Sequence, residues 1–214
     1  KAKINVPGLT VELGGDMFAA QSMPASEVIG VAAAIIILLV AFGSLLAMGL
    51  PIVTALFGVG CGVALVGLTA RIMAVPVFTT PAAAMLGIGV GIDYALLIVT
   101  RFRQAMHDGF EPEDAVMMAM NTAGRAVAFA GVTVVIAVLG MYFMNLALIR
   151  AVATGAALSV LMTMLASITL LPALLGFAGH KVDRFGLPHR KTAEKAADAT
   201  FWHRWSRLIQ RYPW

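Results

Sequence analysis

The sequence predicts an all-α membrane protein, a bundle of five transmembrane helices. Three observations carry that reading. Of the 214 residues, 60% are hydrophobic and 12% charged, against about 25% charged in an ordinary soluble domain, and the mean hydropathy is +0.91. Five apolar stretches each supply the roughly 20 residues that cross about 30 Å of hydrocarbon at about 1.5 Å per residue. The Lys and Arg residues sit beside these stretches instead of inside them.

In chain order, the spans are expected at about 28–48, 52–70, 81–100, 126–146 and 151–178. Gly49, Leu50 and Pro51 read as a tight turn that sets the first two antiparallel. Before the first span, residues 8–13 (GLTVEL) alternate apolar and polar positions ahead of a Gly-Gly-Asp turn and read as one strand. One strand cannot fold alone, so residues 1–27 read as the end of an extracytoplasmic domain whose body lies upstream. No apolar segment of signal-peptide type precedes the first span, and the chain reads as part of a longer one.

Between the third and fourth spans, Pro112 suits a first helical turn, Glu113 and Asp114 favour the helix N-terminus, and Gly124 reads as a stop. A short cytoplasmic helix is expected over about 111–124, with Val116, Met117 and Met120 on one face. Residues 180–214 read as a cytoplasmic linker followed by an amphipathic helix. Phe201, Trp202, Trp205, Leu208, Ile209 and Tyr212 recur at helical spacing beside Arg204, Arg207 and Arg211, which suits the headgroup region.

Charge orients the bundle. With five crossings, eleven Lys and Arg fall on the side of the 101–125 connection and the tail, and four (Lys1, Lys3, Arg71, Arg150) on the other. The positive-inside rule then places the C-terminus in the cytoplasm and the N-terminus outside. The net charge of +4 forms no soluble basic face with interleaved aromatics, so no nucleic-acid partner is expected. Cys61 is a lone thiol within a span and reads as a small packing residue.

The third span holds the residue that asks for an explanation. Asp93 stands in an otherwise apolar helix, where an acid costs about 2.5–3.5 kcal/mol on insertion scales. Gly89, Asp93 and Thr100 share one face, and Gly87 and Gly91 form a small-xxx-small pair on an adjacent stripe. Glycines at this spacing predict a helix in the centre of a bundle, with the acid buried in protein. No other span carries a Lys, Arg or His in its core, so the counterpart of Asp93 is either a proton or a group outside this chain. Tyr94 beside it adds a phenolic donor and acceptor.

A packing role for Asp93 remains the alternative, with Thr133 of the fourth span as the local candidate partner, although threonines in spans commonly bond their own backbone. Thr163, Ser167 and Thr169 read as packing residues on the same grounds. The four histidines (His107, His180, His189, His203) lie outside the spans without ligand spacing, so no metal site and no cofactor are expected. There is no phosphate loop, nucleophile elbow or carboxylate cluster, so nothing here points to an enzyme.

The residues Gly89, Asp93 and Tyr94, the continuation ALLIVTRFR, and NTAGRAVAFAGVTV from Asn121 resemble the MmpL family of the resistance-nodulation-division superfamily. That family carries a GxxxDYxxF pattern on its fourth helix. Leu97 stands where the family has Phe, and Thr100 where it often has Ser. The resemblance covers nearly the whole chain, up to RWSRLIQRYPW.

It implies one half of a twelve-helix exporter, driven by the proton gradient across a bacterial plasma membrane, whose cargo is lipid or otherwise hydrophobic. In that picture Asp93 and Tyr94 form the proton relay, Gly89 permits close approach, and the partner is a second transmembrane half of the same protein. The five-helix block also looks like a sterol-sensing domain. A lipid-sensing or scaffold domain that moves no protons is the competing reading, and an auxiliary subunit of protein export a third.

Overall fold

The computed structural model describes residues 25–42 and 44–183. Six helices make up most of these: α1 (Ala25–Phe42), α2 (Leu45–Thr69), α3 (Thr79–His107), α4 (Pro112–Ala119), α5 (Arg125–Leu139) and α6 (Ala147–Ala178). A π-helical turn, Met120–Gly124, joins α4 to α5, and 3-10 turns follow α5 and α6. The predicted strand at 8–13 and the interfacial helix after residue 200 lie outside the described residues.

Among the described residues, four helical rods are long and apolar enough to cross a membrane: α2, α3, the continuous stretch Pro112–Met144, and α6. Lipid offers the backbone no hydrogen-bonding partner, so apolar runs of this length satisfy themselves as helices. The 18 residues of α1 rise about 27 Å, the lower end of a crossing length.

Two boundaries differ from expectation. The turn expected at Gly49–Pro51 falls inside α2, and the break lies at Ser44, whose backbone is extended (φ −133°, ψ 130°). Pro51 is tolerated in a membrane helix because neighbouring groups re-satisfy what it frees. Ser44 is pinned from across the bundle, its buried hydroxyl donating to the Val182 carbonyl at 2.6 Å.

The second difference is Gly124, which does not stop a helix. It holds ordinary helical angles (φ −59°, ψ −42°), and α4, the π turn, α5 and the 3-10 turn after it run on as one 33-residue rod. Chain reversal comes later, at Asn145, the one non-glycine with positive φ (55°) among the described residues. Nor does α4 dock by the face expected of it. Ala115 and Ala119 are its fully buried residues, Val116 and Met120 are partly buried, and Met117 stays exposed.

α6 is the central helix, packed against α2, α3 and α5, while α2 and α3 also pack on each other. α5 is peripheral: 11% of its rod's apolar stretch is buried, against 44% for α6. The largest fully buried side chains include Phe102 of α3 with Leu171 and Leu175 of α6. They gather at the end where α3 turns into α4, so that end of α3 is anchored.

Candidate functional site

The site is built on α3, and the packing of its glycines decides which way the helix faces. A Cβ on Gly91 would stand 3.1 Å from Ala55 Cβ of α2 and 3.3 Å from Thr163 Cβ of α6. A Cβ on Gly87 would meet Val59 of α2 at 2.9 Å and press harder still on the Ser159 hydroxyl of α6. Gly87 and Gly91 are both buried. They are where α3 lies against its two neighbours.

The same seam has glycines on all three helices. A Cβ on Gly58 or Gly62 of α2 would lie 2.6 Å from Thr163 Cα and 2.7 Å from Ser159 Cα, and one on Gly155 of α6 would lie 2.7 Å from Thr79 Cγ2. Contacts at Thr79–Gly155, Gly87–Ser159 and Gly91–Thr163 advance together along both helices, so α3 and α6 run parallel. α2 runs against them, from Gly58 at Thr163 to Gly62 at Ser159. With no hydrophobic drive between helices in lipid, close backbone approach at small residues is what holds such a seam.

Two residues along a helix is a rotation of about 200°, which turns Gly89 and Asp93 away from this seam. Both are exposed, as are Leu97 and Thr100 further along the stripe. A Cβ on Gly89 would meet nothing within 4 Å. The acid expected to be buried in the bundle is therefore uncovered among the described residues, because the glycines that face inward are Gly87 and Gly91. Asp93 has no hydrogen bond or ion pair with any described residue.

Tyr94 lies between the two stripes, half-buried and packed against the core. Its hydroxyl is enclosed and has no hydrogen-bond partner among the described residues. Thr133 does not reach Asp93: it is exposed on α5, and its hydroxyl donates to the Phe129 carbonyl of its own helix at 2.8 Å. Thr163 likewise donates to its own backbone, at Ser159 and Val160. Thr169 does the same toward Leu165.

Sequence reasoning missed two features. One is Ser159, which forms a column on α6 with Thr163 and Ser167, two residues expected to pack; all three are fully buried, and the Ser159 and Ser167 hydroxyls are enclosed and unpartnered among the described residues. The four-residue spacing of Gly155, Ser159 and Thr163 was the available signal. The other is the π turn, for which no residue type is diagnostic.

Comparison with known proteins gives the arrangement a family. The MMPL family model matches residues 1–214. The chain belongs to the MMPL family. It is 39% identical over 210 residues to the Bacillus subtilis membrane protein YdfJ, covering 98% of this chain and 27% of that protein. It is 40% identical over 181 residues to the mycolic acid-containing lipids exporter MmpL11 of Mycolicibacterium smegmatis, covering 84% and 19%. It is 37% identical, with the same two coverages, to the heme uptake protein MmpL11 of Mycobacterium tuberculosis strain H37Rv. The chain thus spans about a quarter or less of the curated relatives it matches. As an MMPL chain with four long apolar rods, it is a multi-pass membrane protein.

Proposed function

We propose that this chain is the proton-carrying membrane block of a transporter driven by the proton gradient, exporting lipids or other hydrophobic molecules across a bacterial plasma membrane. The observation that supports it is the open stripe of α3. An apolar helix carries its one acid, with a glycine one turn before it, on a face that no described residue covers, while the adjacent glycine pair is filled by neighbours.

A second transmembrane half of the same protein would cover that stripe. Gly89 would let its helix approach closely, and Asp93 would take and release the proton. Tyr94, whose hydroxyl lacks a partner here, would bond the acid of the other half. In this reading the N-terminal segment lies outside and the C-terminus in the cytoplasm. The chain then translocates its cargo and does no covalent chemistry on it.

The named cargoes of the relatives differ, mycolic acid-containing lipids in one and heme in another. What they share is a large hydrophobic body, and that is the class proposed here.

The test is export by the intact protein under an imposed proton gradient, wild type against Asp93→Asn at matched expression. Loss of gradient-dependent export with the fold retained is the expected result. Unchanged export would make Asp93 a packing acid and put the lipid-sensing or scaffold reading ahead.

A further inference from the structure

At the end of the bundle opposite the α3–α4 turn, the Pro112–Met144 rod closes in a 3-10 turn, Asn145 reverses the chain, and α6 begins at Ala147. Arg150, in the first turn of α6, folds back over this reversal. One of its terminal nitrogens donates to the Asn145 side-chain carbonyl, and its guanidinium carbon lies 6.0 Å from the centre of the Tyr142 ring. The ring is fixed by a directional chain. Thr154 spends its one hydroxyl proton on the Arg150 carbonyl at 2.8 Å, so Tyr142 must donate to Thr154.

Among the described residues, nothing pairs with this positive charge. Arg150 has no ion pair with a described residue, and its Nε is enclosed without an acceptor. Of the carboxylates whose side chains are described, Asp93 lies midway along α3, and Asp108, Glu111, Glu113 and Asp114 belong to the other end of the bundle. Around the arginine the surface is apolar and bare: Phe143 is 94% exposed, with Met144, Leu146 and Leu148 each more than half exposed. A fixed guanidinium with no ion pair among the described residues, beside exposed aromatic and aliphatic side chains where two apolar rods end, matches the depth at which headgroup phosphates meet acyl chains.

We propose that Arg150, framed by Tyr142 and Asn145, binds the phosphate of a membrane phospholipid whose acyl chains lie along Phe143, Leu146 and Leu148. The guanidinium fork suits a phosphate bidentately. Asn145 and Tyr142 hold it in place before the lipid arrives. The site stands apart from the Asp93 reading, on other residues and at the far end of the rods.

The test uses the intact protein in phosphatidylcholine nanodiscs doped with a photoactivatable phosphatidylglycerol or with a diacylglycerol carrying the same photoactivatable chain. Crosslinks are mapped to the peptide spanning residues 140–150. The phospholipid should label it about fivefold more than the diacylglycerol, the gain of one cation–phosphate contact at the surface. Arg150→Gln should erase that preference, and Arg150→Lys should keep part of it.

Equal labelling of the wild type by the two lipids overturns the proposal, whether or not either variant folds. So does an absence of labelling, which would mean that another part of the protein covers the patch. Full suppression by added inorganic phosphate would mark a site for the soluble anion and overturn it as well. Export assays on Asp93→Asn leave this readout untouched, so the two proposals fail separately.

Discussion

α3 carries two stripes of residues four apart, Gly87 with Gly91 and Gly89 with Asp93, and they have opposite fates. Gly87 and Gly91 are filled, each pressed by side chains of both α2 and α6. Gly89 and Asp93 face open space. Both stripes are small and lie in the same membrane depth, so local chemistry does not separate them. What separates them is that one has neighbours among the described residues and the other has an acid without one there. A filled glycine stripe makes a fold, and an empty one beside a carboxylate makes a place for something to come.

The sharpest way to break this contrast is Asp93→Asn. The side chain is exposed and makes no hydrogen bond or ion pair with a described residue, so the variant should fold as the wild type does. Gradient-dependent export by the intact protein should nonetheless fall about 100-fold or more, the scale of a lost proton-transfer group. A variant that unfolds would instead place Asp93 among the packing residues.

Gly87→Leu attacks the other stripe. Four new carbon atoms would have to enter space held by Val59 and Ser159, an overpacking that costs about 1–3 kcal/mol. The thermal unfolding midpoint in detergent should drop accordingly. An unchanged midpoint would mean that the α2–α3–α6 seam is looser than its backbone approach implies.

Gly89→Leu sharpens the comparison because it makes the same chemical change one stripe over. Nothing lies within 4 Å to be displaced, so the stability of this block should stay within about 0.5 kcal/mol of wild type. Export should fall roughly tenfold or more if a helix of the second half must approach there, since small misplacements of reacting groups are costly. Unaffected export would turn the open stripe toward lipid.

Much of this was legible from the residues. The spacing of Gly87, Gly91, Gly89 and Asp93 fixes their relative angle on any helix, and the apolar runs leave the backbone few choices in a bilayer. Which stripe faces inward was not legible, because that depends on what α2 and α6 offer opposite. Gly58, Gly62, Ser159 and Thr163 offer a surface that only Gly87 and Gly91 can meet closely. Ser44 replaced Gly49–Pro51 as the break for a similar reason. A proline inside a membrane helix is permitted, whereas the bond from Ser44 to Val182 joins residues 138 positions apart and leaves no local trace. Gly124 could end a helix or continue one, and the docking of Ala115, Ala119 and Ala123 on α3 and α6 favours continuing.

The smallest expected effect belongs to Thr133→Val, and it tests the negative side of the comparison. Thr133 was the in-chain group best placed by residue type to satisfy Asp93, yet its hydroxyl is turned back to the Phe129 carbonyl. Its helix is peripheral and the residue is exposed, so no cavity or orphaned partner results from the change. Valine keeps the shape and removes a bond that competes only with an already satisfied backbone. Stability should move by less than about 0.5 kcal/mol, and export should be unchanged. A loss of export comparable to that of Asp93→Asn would mean that Thr133 turns toward the acid during the cycle. The open stripe of α3 would then be closed in part from within this half, and the second half would not be its sole cover.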